Sequence, residues 1–165
     1  MDTFPGLKKI EKLVDIRNQL KQAGKTVVFT NGCFDLLHRG HIEYLEKARR
    51  LGDVLIVGLN DDASIRRQHK GPEHPIFPLE DRAAILLALE AVDYVCPFSE
   101  DTPGRLIAQL MPDILVKGGD YRLDQIVGRD VVERAGGRVI ALPLLEGRST
   151  TAIIRKILRA YGIEG

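Results

Sequence analysis

The 165-residue chain has the pattern of an α/β protein built on one open sheet of five parallel strands. Short apolar runs alternate with longer stretches of helical periodicity, which is the order of strands and crossover helices in such a sheet. The apolar runs are continuous, as expected of strands covered on both faces. The prediction is a single, doubly wound, Rossmann-like domain with helices on both faces. Within it, we assign residues 1–24 to an N-terminal helical segment packed on a domain of residues 25–165.

The first half of the chain supplies two of the predicted strands. Apolar residues at helical spacing, followed by Gly24, mark a first helix and its end. Turn residues then break an apolar run after Phe29. The predicted elements are a helix over residues 7–23, a strand at 27–29, a helix that begins near His41 and a strand over 53–59. Residues 60–80 are rich in proline and basic side chains and predict a short helix that leads into a loop.

The second half of the chain continues the alternation. Thr102 is the expected N-cap of a helix that has Pro103 in its first position. Gly136 is the expected stop of a later helix. The predicted elements are helices over 81–91, 102–110 and 123–135, strands at 94–96, 114–117 and 138–142, and a last helix that begins after residues 147–151.

Composition excludes several classes of partner. The 24 basic and 23 acidic residues give a net charge of +1, so no global field favours nucleic acid or an anionic membrane. Cys33 and Cys96 lack C-x-x-C spacing and are too few for a disulfide scaffold, and Cys33 is best interpreted as a small apolar filler. The chain has no secretory-signal layout and no apolar run near the roughly 18 residues that span a bilayer. We therefore expect a reduced, cytoplasmic protein without nucleic-acid or membrane partners.

The most informative motif is H-x-G-H at residues 38–41. It follows the first strand and opens a helix, where backbone N–H groups and the helix dipole attract phosphate. Gly40 allows a phosphate chain to approach the backbone, and the imidazoles of His38 and His41 can donate hydrogen bonds to it. Two histidines at this spacing can equally serve as helix caps. They can also ligate a metal, although metal sites usually need more ligands than one pair.

A second helix start offers a similar environment at G-R-S-T-T. Ser149, Thr150 and Thr151 place hydroxyl groups beside free helix N–H groups, and Gly147 permits a tight entry. Such runs often do no more than cap a helix. Two anion sites on one parallel sheet nevertheless favour a triphosphate ligand.

Other polar residues lie at predicted strand ends. Lys117, Gly119 and Asp120 follow the fourth strand, where glycines let a planar base approach the backbone and Asp120 can bind ribose or base; a simple turn is the alternative. Asp35 can hold a substrate hydroxyl, orient a histidine, coordinate magnesium or satisfy turn amides. A basic group can clamp an anionic substrate or form a solvated face. Its members are Arg66, Arg67, Lys70 and Arg82.

These segments together resemble the nucleotidylyltransferase superfamily that includes glycerol-phosphate cytidylyltransferases. The similarity is carried by T-N-G-C-F-D-L-L-H-R-G-H, V-G-L-N-D-D and E-G-R-S-T-T. A closer similarity is to bacterial D-glycero-D-manno-heptose 1-phosphate adenylyltransferases. It is carried by I-R-R-Q-H-K-G-P, V-D-Y-V, E-D-T-P, P-D-I-L-V-K-G-G-D-Y, I-V-G-R-D and G-G-R-V, and it runs from about Lys25 to Leu158. His74 stands where an arginine is common in the family, and His69 looks like an additional residue.

The resemblance implies a reaction in which ATP and heptose 1-phosphate give ADP-heptose and pyrophosphate, for lipopolysaccharide or another surface glycan. Mg²⁺ is the implied cofactor and a homodimer the implied assembly. Many family members are fused to a sugar kinase; 165 residues leave no room for one, so we expect the stand-alone form.

The resemblance also implies roles for particular residues. His38 and His41 are the expected catalytic residues. The expected nucleotide-binding residues are Thr30, Asn31, Gly32, Phe34, His38, Gly40, His41, Lys117, Gly119, Asp120, Glu146, Ser149, Thr150 and Thr151. The expected substrate-binding residues are Asp35, Asn60, Arg66, Lys70 and Arg82.

Three alternatives remain open at this point. The same chemistry can act on another pair, such as CTP with glycerol 3-phosphate or ethanolamine phosphate, or ATP with flavin mononucleotide or phosphopantetheine. A nucleotide-binding module without turnover would keep the same anion sites. A metal-dependent hydrolase could be built on His38, His41 and Asp35.

Overall fold

The computed structural model describes residues 4–68, 71, 74–119 and 121–163. Its centre is a sheet of five parallel strands in the order β3-β2-β1-β4-β5. The strands are β1 (Val27–Gly32), β2 (Val54–Asn60), β3 (Tyr94–Phe98), β4 (Ile114–Gly118) and β5 (Arg138–Leu142). The predicted α/β class and the five-stranded parallel sheet are confirmed.

Helices cover both faces of this sheet. They are α1 (Ile10–Gln22), α2 (Arg39–Arg49), α3 (Asp62–Arg67), α4 (Leu79–Leu87), α5 (Gly104–Leu110), α6 (Arg129–Arg134) and α7 (Thr150–Ala160), with a 3-10 turn at Leu123–Gln125. Val28 of β1 points into the core under α2 and α4, whereas its neighbour Phe29 points into the core under α1 and α5. No helix in these described ranges is both long and apolar enough to cross a membrane.

The strand order places a crevice between β1 and β4. The chain winds outward in one direction through β2 and β3 and in the other through β4 and β5. Ligands of doubly wound sheets bind beyond the carboxyl ends of the strands at this switch point. The ends of β1, β2 and β4 therefore carry the residues that matter for function.

Some predicted boundaries are wrong for local reasons. The helix predicted over 123–135 is divided, because the chain is extended at Ile126 after the 3-10 turn, and Gly128, with a φ of 86°, precedes the start of α6. A Cβ at Gly128 would lie 2.8 Å from Cδ1 of Ile107, so this turn also needs the absence of a side chain. Thr102 is not the cap of α5, because the position before Gly104 is occupied by Pro103 and no side chain caps that helix.

Three aspartates bind main-chain N–H groups at the edge of the sheet where the strands begin. Asp53, Asp93 and Asp113 each precede a strand, and each accepts a hydrogen bond of 2.8 Å from a main-chain N–H of a neighbouring strand or its approach. Asp113 also accepts a hydrogen bond of 2.8 Å from Nη2 of Arg17 on α1. Arg17 is buried, so this carboxylate joins α1, β1 and β4 and compensates an interior positive charge.

Replacing Asp113 with alanine should lower the free energy of unfolding by about 2–3 kcal/mol, because it leaves the Val27 N–H without its acceptor and the buried Arg17 guanidinium without its counter-ion. Chemical denaturation is the measurement. Asp130→Ala is the matched control, since its carboxylate pairs with Arg134 on the exposed side of α6 and its loss should change stability by less than about 0.5 kcal/mol. Equal losses in both variants would contradict the assigned role of Asp113.

Candidate active site

The H-x-G-H turn is held by hydrogen bonds between its own histidines and backbone. His38 occupies the N-cap position of α2 in an extended conformation, and its Nδ1 accepts from the Gly40 N–H at 3.1 Å. Nδ1 of His41 accepts from the His38 N–H at 3.3 Å. Both histidines therefore cap the helix, which was one of the alternatives left open by the sequence.

This capping decides which ring nitrogen carries the proton. A backbone N–H can only donate, so each Nδ1 must be the unprotonated nitrogen and each neutral ring carries its proton on Nε2. The two rings stack with centroids 3.9 Å apart. Capping through Nδ1 thus leaves two Nε2–H donors side by side, and helix capping and phosphate binding are compatible roles.

Burial keeps both histidines neutral. It lowers the pKa of His41 to about 4, with a further contribution from the charge of His38. Burial also lowers the pKa of His38, and the positive charge of Arg148 adds to that effect. At neutral pH the pair consequently offers hydrogen bonds without a formal charge.

Phe34 completes the environment of His41. Its ring stands edge-on to the imidazole, with centroids 5.5 Å apart and planes at 61°. Phe34 has a φ of 45°, an uncommon conformation for a bulky residue that persists only where the surroundings impose it. Gly32 makes room for the ring, because a Cβ there would lie 2.9 Å from Cε2 of Phe34.

A cavity of about 460 Å³, the histidine cavity, lies beside this turn. It is lined by Cys33, Phe34, Asp35, His41, Ile65, His74, Thr150 and Thr151. The start of α7 forms one wall: the Thr150 hydroxyl donates to the Leu36 carbonyl at 3.2 Å, and Ser149 caps the helix by accepting from the Ala152 N–H at 3.1 Å. The two anion sites predicted from the sequence therefore lie at one cavity.

A second cavity of about 390 Å³, the amide cavity, adjoins the first at Cys33, which lines both. Its lining residues are Asn31, Gly32, Cys33, Asn60, Gln68, Asp101, Thr102, Pro103, Leu115, Lys117, Tyr121, Gln125, Ile126 and Val127. Side-chain amides are frequent among them, and Lys117 places its Nζ 5.4 Å from the centre of the Tyr121 ring. These groups can donate and accept hydrogen bonds around a polar ligand.

Asp35 does not act as a free substrate ligand, which corrects the expectation from the sequence. It is buried and accepts from Nδ1 of His74 at 2.8 Å and from the N–H groups of Ile76 at 2.8 Å and Phe77 at 2.9 Å. Burial alone would raise the pKa of Asp35, but these hydrogen bonds outweigh it and hold the pKa below its usual range. Asp35 therefore anchors the segment that ends at Phe77 against the site.

Arg82 also requires a correction. Its side chain is fully buried, and its guanidinium donates to the carbonyl groups of Phe77 at 2.9 Å, Cys33 at 2.8 Å and Asn60 at 2.8 Å. It also pairs with Asp62 at 2.6 Å. The donors are directed at the protein, so Arg82 supports the ends of β1 and β2 and does not contact substrate.

Thr30 is likewise internal. It is fully buried and its hydroxyl lies 2.6 Å from the Tyr44 hydroxyl, so it joins β1 to α2 and does not face a nucleotide. Burial raises the pKa of Tyr44 to about 12, which keeps this hydroxyl protonated. Both residues stabilise the strand that carries the H-x-G-H turn.

The remaining predicted residues divide between the cavities and the surface. Asn60 lines the amide cavity and donates to the Ser64 hydroxyl at 3.1 Å. Gly119 follows the last residue of β4 and has a φ of 108°. Arg66 on α3 and Glu146 before α7 are exposed. Lys70 and Asp120 lie outside the described residues, as does His69.

Sequence reasoning missed several residues of the site. His74 entered only as a departure from a family pattern, and Gln68, Tyr121 and Gln125 gave no signal because single polar residues in loops are common. Arg148 lies inside the G-R-S-T-T run and could have been singled out for its charge.

A resident Mg²⁺ site does not fit the described residues. They contain no group of three His, Cys, Asp or Glu side chains that could hold a metal ion. Asp35, the carboxylate of the histidine cavity, is already occupied by three donors.

Residues 29–156 match the family described as Cytidylyltransferase-like, and this segment is most of the chain. The chain belongs to the cytidylyltransferase-like family. This membership confirms the superfamily resemblance drawn from the H-x-G-H and G-R-S-T-T motifs.

Curated relatives of this cytidylyltransferase-like chain include Bifunctional protein HldE of Syntrophotalea carbinolica, 60% identical over 92% of this chain, and that of Geobacter sulfurreducens, 58% identical over 96%. The chain spans about a third of the length of these relatives, 31% and 32% respectively.

Solved structures agree with the fold. A lipopolysaccharide core biosynthesis protein from Thermoplasma volcanium has a TM-score of 0.62 and 30% identity over 76% of this chain and 100% of that one. A pantoate-beta-alanine ligase from Francisella tularensis, solved with a β,γ-ATP compound and beta-alanine, has a TM-score of 0.56 over 93% of this chain and 78% of that one. At 19% identity the second likeness concerns the fold alone.

We expect His41 to remain neutral far below the usual range of histidine. Nuclear magnetic resonance of its ring proton should give a titration midpoint at about pH 4. Because the unfolded chain takes up this proton near pH 6.5, the free energy of unfolding should fall as the pH drops from 6.5 to about 4. His41→Gln should show a smaller fall, and a midpoint near 6.5 in the native protein would contradict the assigned burial.

Proposed function

We propose that this protein transfers the adenylyl group of ATP to D-glycero-D-manno-heptose 1-phosphate, giving ADP-heptose and pyrophosphate for lipopolysaccharide or another surface glycan. One observation carries the proposal: two neutral imidazoles with Nε2–H donors lie beside the capped start of α7, so both anion sites serve one cavity. The similarity to HldE proteins and to a lipopolysaccharide core biosynthesis protein supports the choice of product.

The reaction needs no general base. An oxygen of the acceptor phosphate, already anionic near neutral pH, attacks the α-phosphorus of ATP. The bond from that phosphorus to the bridging oxygen of the β-phosphate breaks, and pyrophosphate leaves with the electron pair. Catalysis then consists of positioning and of stabilising charge on the transferring group. Neutral histidines suit this chemistry, because they donate hydrogen bonds without having to exchange a proton.

Each part of the nucleotide has a proposed partner. His38 and His41 donate to the triphosphate from the start of α2. Ser149 and Thr151 donate from the start of α7, since the hydroxyl proton of Thr150 is directed at Leu36. The base and ribose lie at the end of β4 near Gly119, with Asp120 and Glu146 as further nucleotide contacts. Magnesium enters with the triphosphate as part of the substrate.

The sugar phosphate occupies the amide cavity in this proposal. A heptose presents hydroxyl groups that both donate and accept, and the side-chain amides of Asn31, Asn60 and Gln68 match that requirement. Lys117 is the one lysine or arginine among the described residues that line the amide cavity. We therefore assign its ammonium group to the acceptor phosphate. Arg66 and Lys70 are proposed to assist at the entrance. Because Cys33 lines both cavities, acceptor and nucleotide would meet at the end of β1.

Pyrophosphate release across a matrix of nucleotides and acceptors tests this function. ATP with heptose 1-phosphate, supplied as both anomers, should give the highest kcat/KM. CTP or ATP with glycerol 3-phosphate, ethanolamine phosphate, flavin mononucleotide and phosphopantetheine form the comparison arms. Preference for another acceptor would replace the substrate assignment, and phosphate release without an acceptor would indicate a hydrolase.

The same matrix includes a catalytic control. A folded His41→Ala protein should lose about 10²–10³ in kcat, as expected when one transition-state donor is removed. ATP binding by the native protein without pyrophosphate release from any acceptor would instead indicate a nucleotide-binding module.

We also propose a cytoplasmic homodimer. The supply of ATP, and a sequence with too few cysteines for a disulfide scaffold, suit the reducing cytoplasm. Helix α7 buries no side chain completely, and Ile157 and Leu158 on it and Tyr161 at its C-cap are exposed, which suits an interface between two copies. Analytical ultracentrifugation should give twice the chain mass, and Ile157→Glu should give the monomer. A native monomer at micromolar concentration would overturn the dimer.

A further inference from the structure

The histidine cavity has no lysine or arginine among its described lining residues. His41 contributes a neutral donor, and Asp35 contributes a carboxylate that is paired with His74. A triphosphate carries several negative charges, and charge-assisted hydrogen bonds to it are roughly twice as strong as neutral ones. A cation near the two histidines would therefore complete the site.

Arg148 lies at that position. It stands between Gly147, whose φ of 71° turns the chain, and Ser149, which caps α7. A Cβ on Gly40 would lie 3.5 Å from the Cβ of Arg148, so the start of α7 faces the glycine of the H-x-G-H turn. The charge of Arg148 also helps to lower the pKa of His38, which places its guanidinium within electrostatic reach of that ring.

The side chain of Arg148 is available to a ligand. The residue is exposed, and in the described ranges it forms no ion pair or hydrogen bond that would hold its guanidinium elsewhere. Other arginines of the site contrast with it: Arg82 is directed at main-chain carbonyl groups, and Arg67 is paired with Asp101. The planar fork of arginine suits two oxygens of one phosphate group.

We propose that Arg148 is a further phosphate-binding residue of this site, contacting the triphosphate from the α7 side while His38 and His41 contact it from the α2 side. This inference rests on the proposed nucleotidyl transfer. The triphosphate would then be clamped between two helix starts, with neutral donors on one side and a charged donor on the other.

The central variants are Arg148→Ala, Arg148→Gln and Arg148→Lys. Loss of a charge-assisted contact should weaken ATP binding and lower kcat/KM for ATP about 10- to 100-fold in the alanine and glutamine variants, with the KM for the acceptor changed less than threefold. Lysine should restore part of the affinity, because it keeps the charge but not the fork. Arg159→Ala is the matched control: it removes the same charge from the last turn of α7 and should leave ATP binding unchanged.

A second readout does not depend on turnover. The titration of the His38 ring, followed by nuclear magnetic resonance without nucleotide, reports the charge of Arg148, because the other ionisable neighbour, His41, has a pKa lowered to about 4. The His38 midpoint should rise in Arg148→Ala and stay unchanged in Arg159→Ala. This result would show that the variant is folded and that Arg148 lies beside the turn.

Calorimetry of ATP binding separates the two proposals. If no acceptor supports pyrophosphate release by the native protein, the proposed function fails, yet weaker ATP binding by Arg148→Ala would still support its role as a phosphate ligand. Native-like ATP affinity and kcat/KM in Arg148→Ala, with a raised His38 midpoint, would overturn the inference and leave the proposed function intact.

Discussion

The active-site edge of this protein depends on one buried guanidinium. Carbonyl groups at the ends of β1 and β2 have no further strand residues to bind, and buried main-chain acceptors must find a partner. Arg82 donates to the carbonyls of Cys33 and Asn60 and also to that of Phe77. Asp62 compensates its charge. Cys33 and Asn60 of the cavity walls are therefore held by a residue that is not among the described residues lining either cavity.

Each imidazole of the H-x-G-H turn has two nitrogens with separate roles. One nitrogen of each imidazole stabilises the start of α2, and the other is thereby left protonated and directed away from that backbone contact. In each histidine, Nδ1 caps the helix and the Nε2–H of the same ring is the proposed phosphate donor. Asp35 differs from the histidines, because its carboxylate oxygens accept hydrogen bonds from within the protein, from His74, Ile76 and Phe77.

Local sequence information was sufficient for the strands and for the two helix starts at which the anion sites are proposed. Continuous apolar runs mark parallel strands, and glycine and hydroxyl residues mark helix starts, because both signals act over a few neighbouring residues. It was insufficient for Arg82 and Asp35, whose partners lie tens of residues away and become neighbours only when the sheet forms. The break before Gly128 was missed for a comparable reason, since the side chain that leaves no room for a Cβ there, Ile107, is 21 residues away in sequence. The division of the chain at residue 24 stays a prediction.

The aspartates that precede β2, β3 and β4 fasten the sheet at one edge, while both cavities open at the other. Sheet stability and ligand choice are thereby assigned to residues that lie a full strand length apart. Substitutions in the loops around the amide cavity can then accumulate without loosening the amino edge. A scaffold of this kind can diverge towards new acceptors while its thermal stability remains nearly constant, because distant sites contribute almost independently to the free energy of folding.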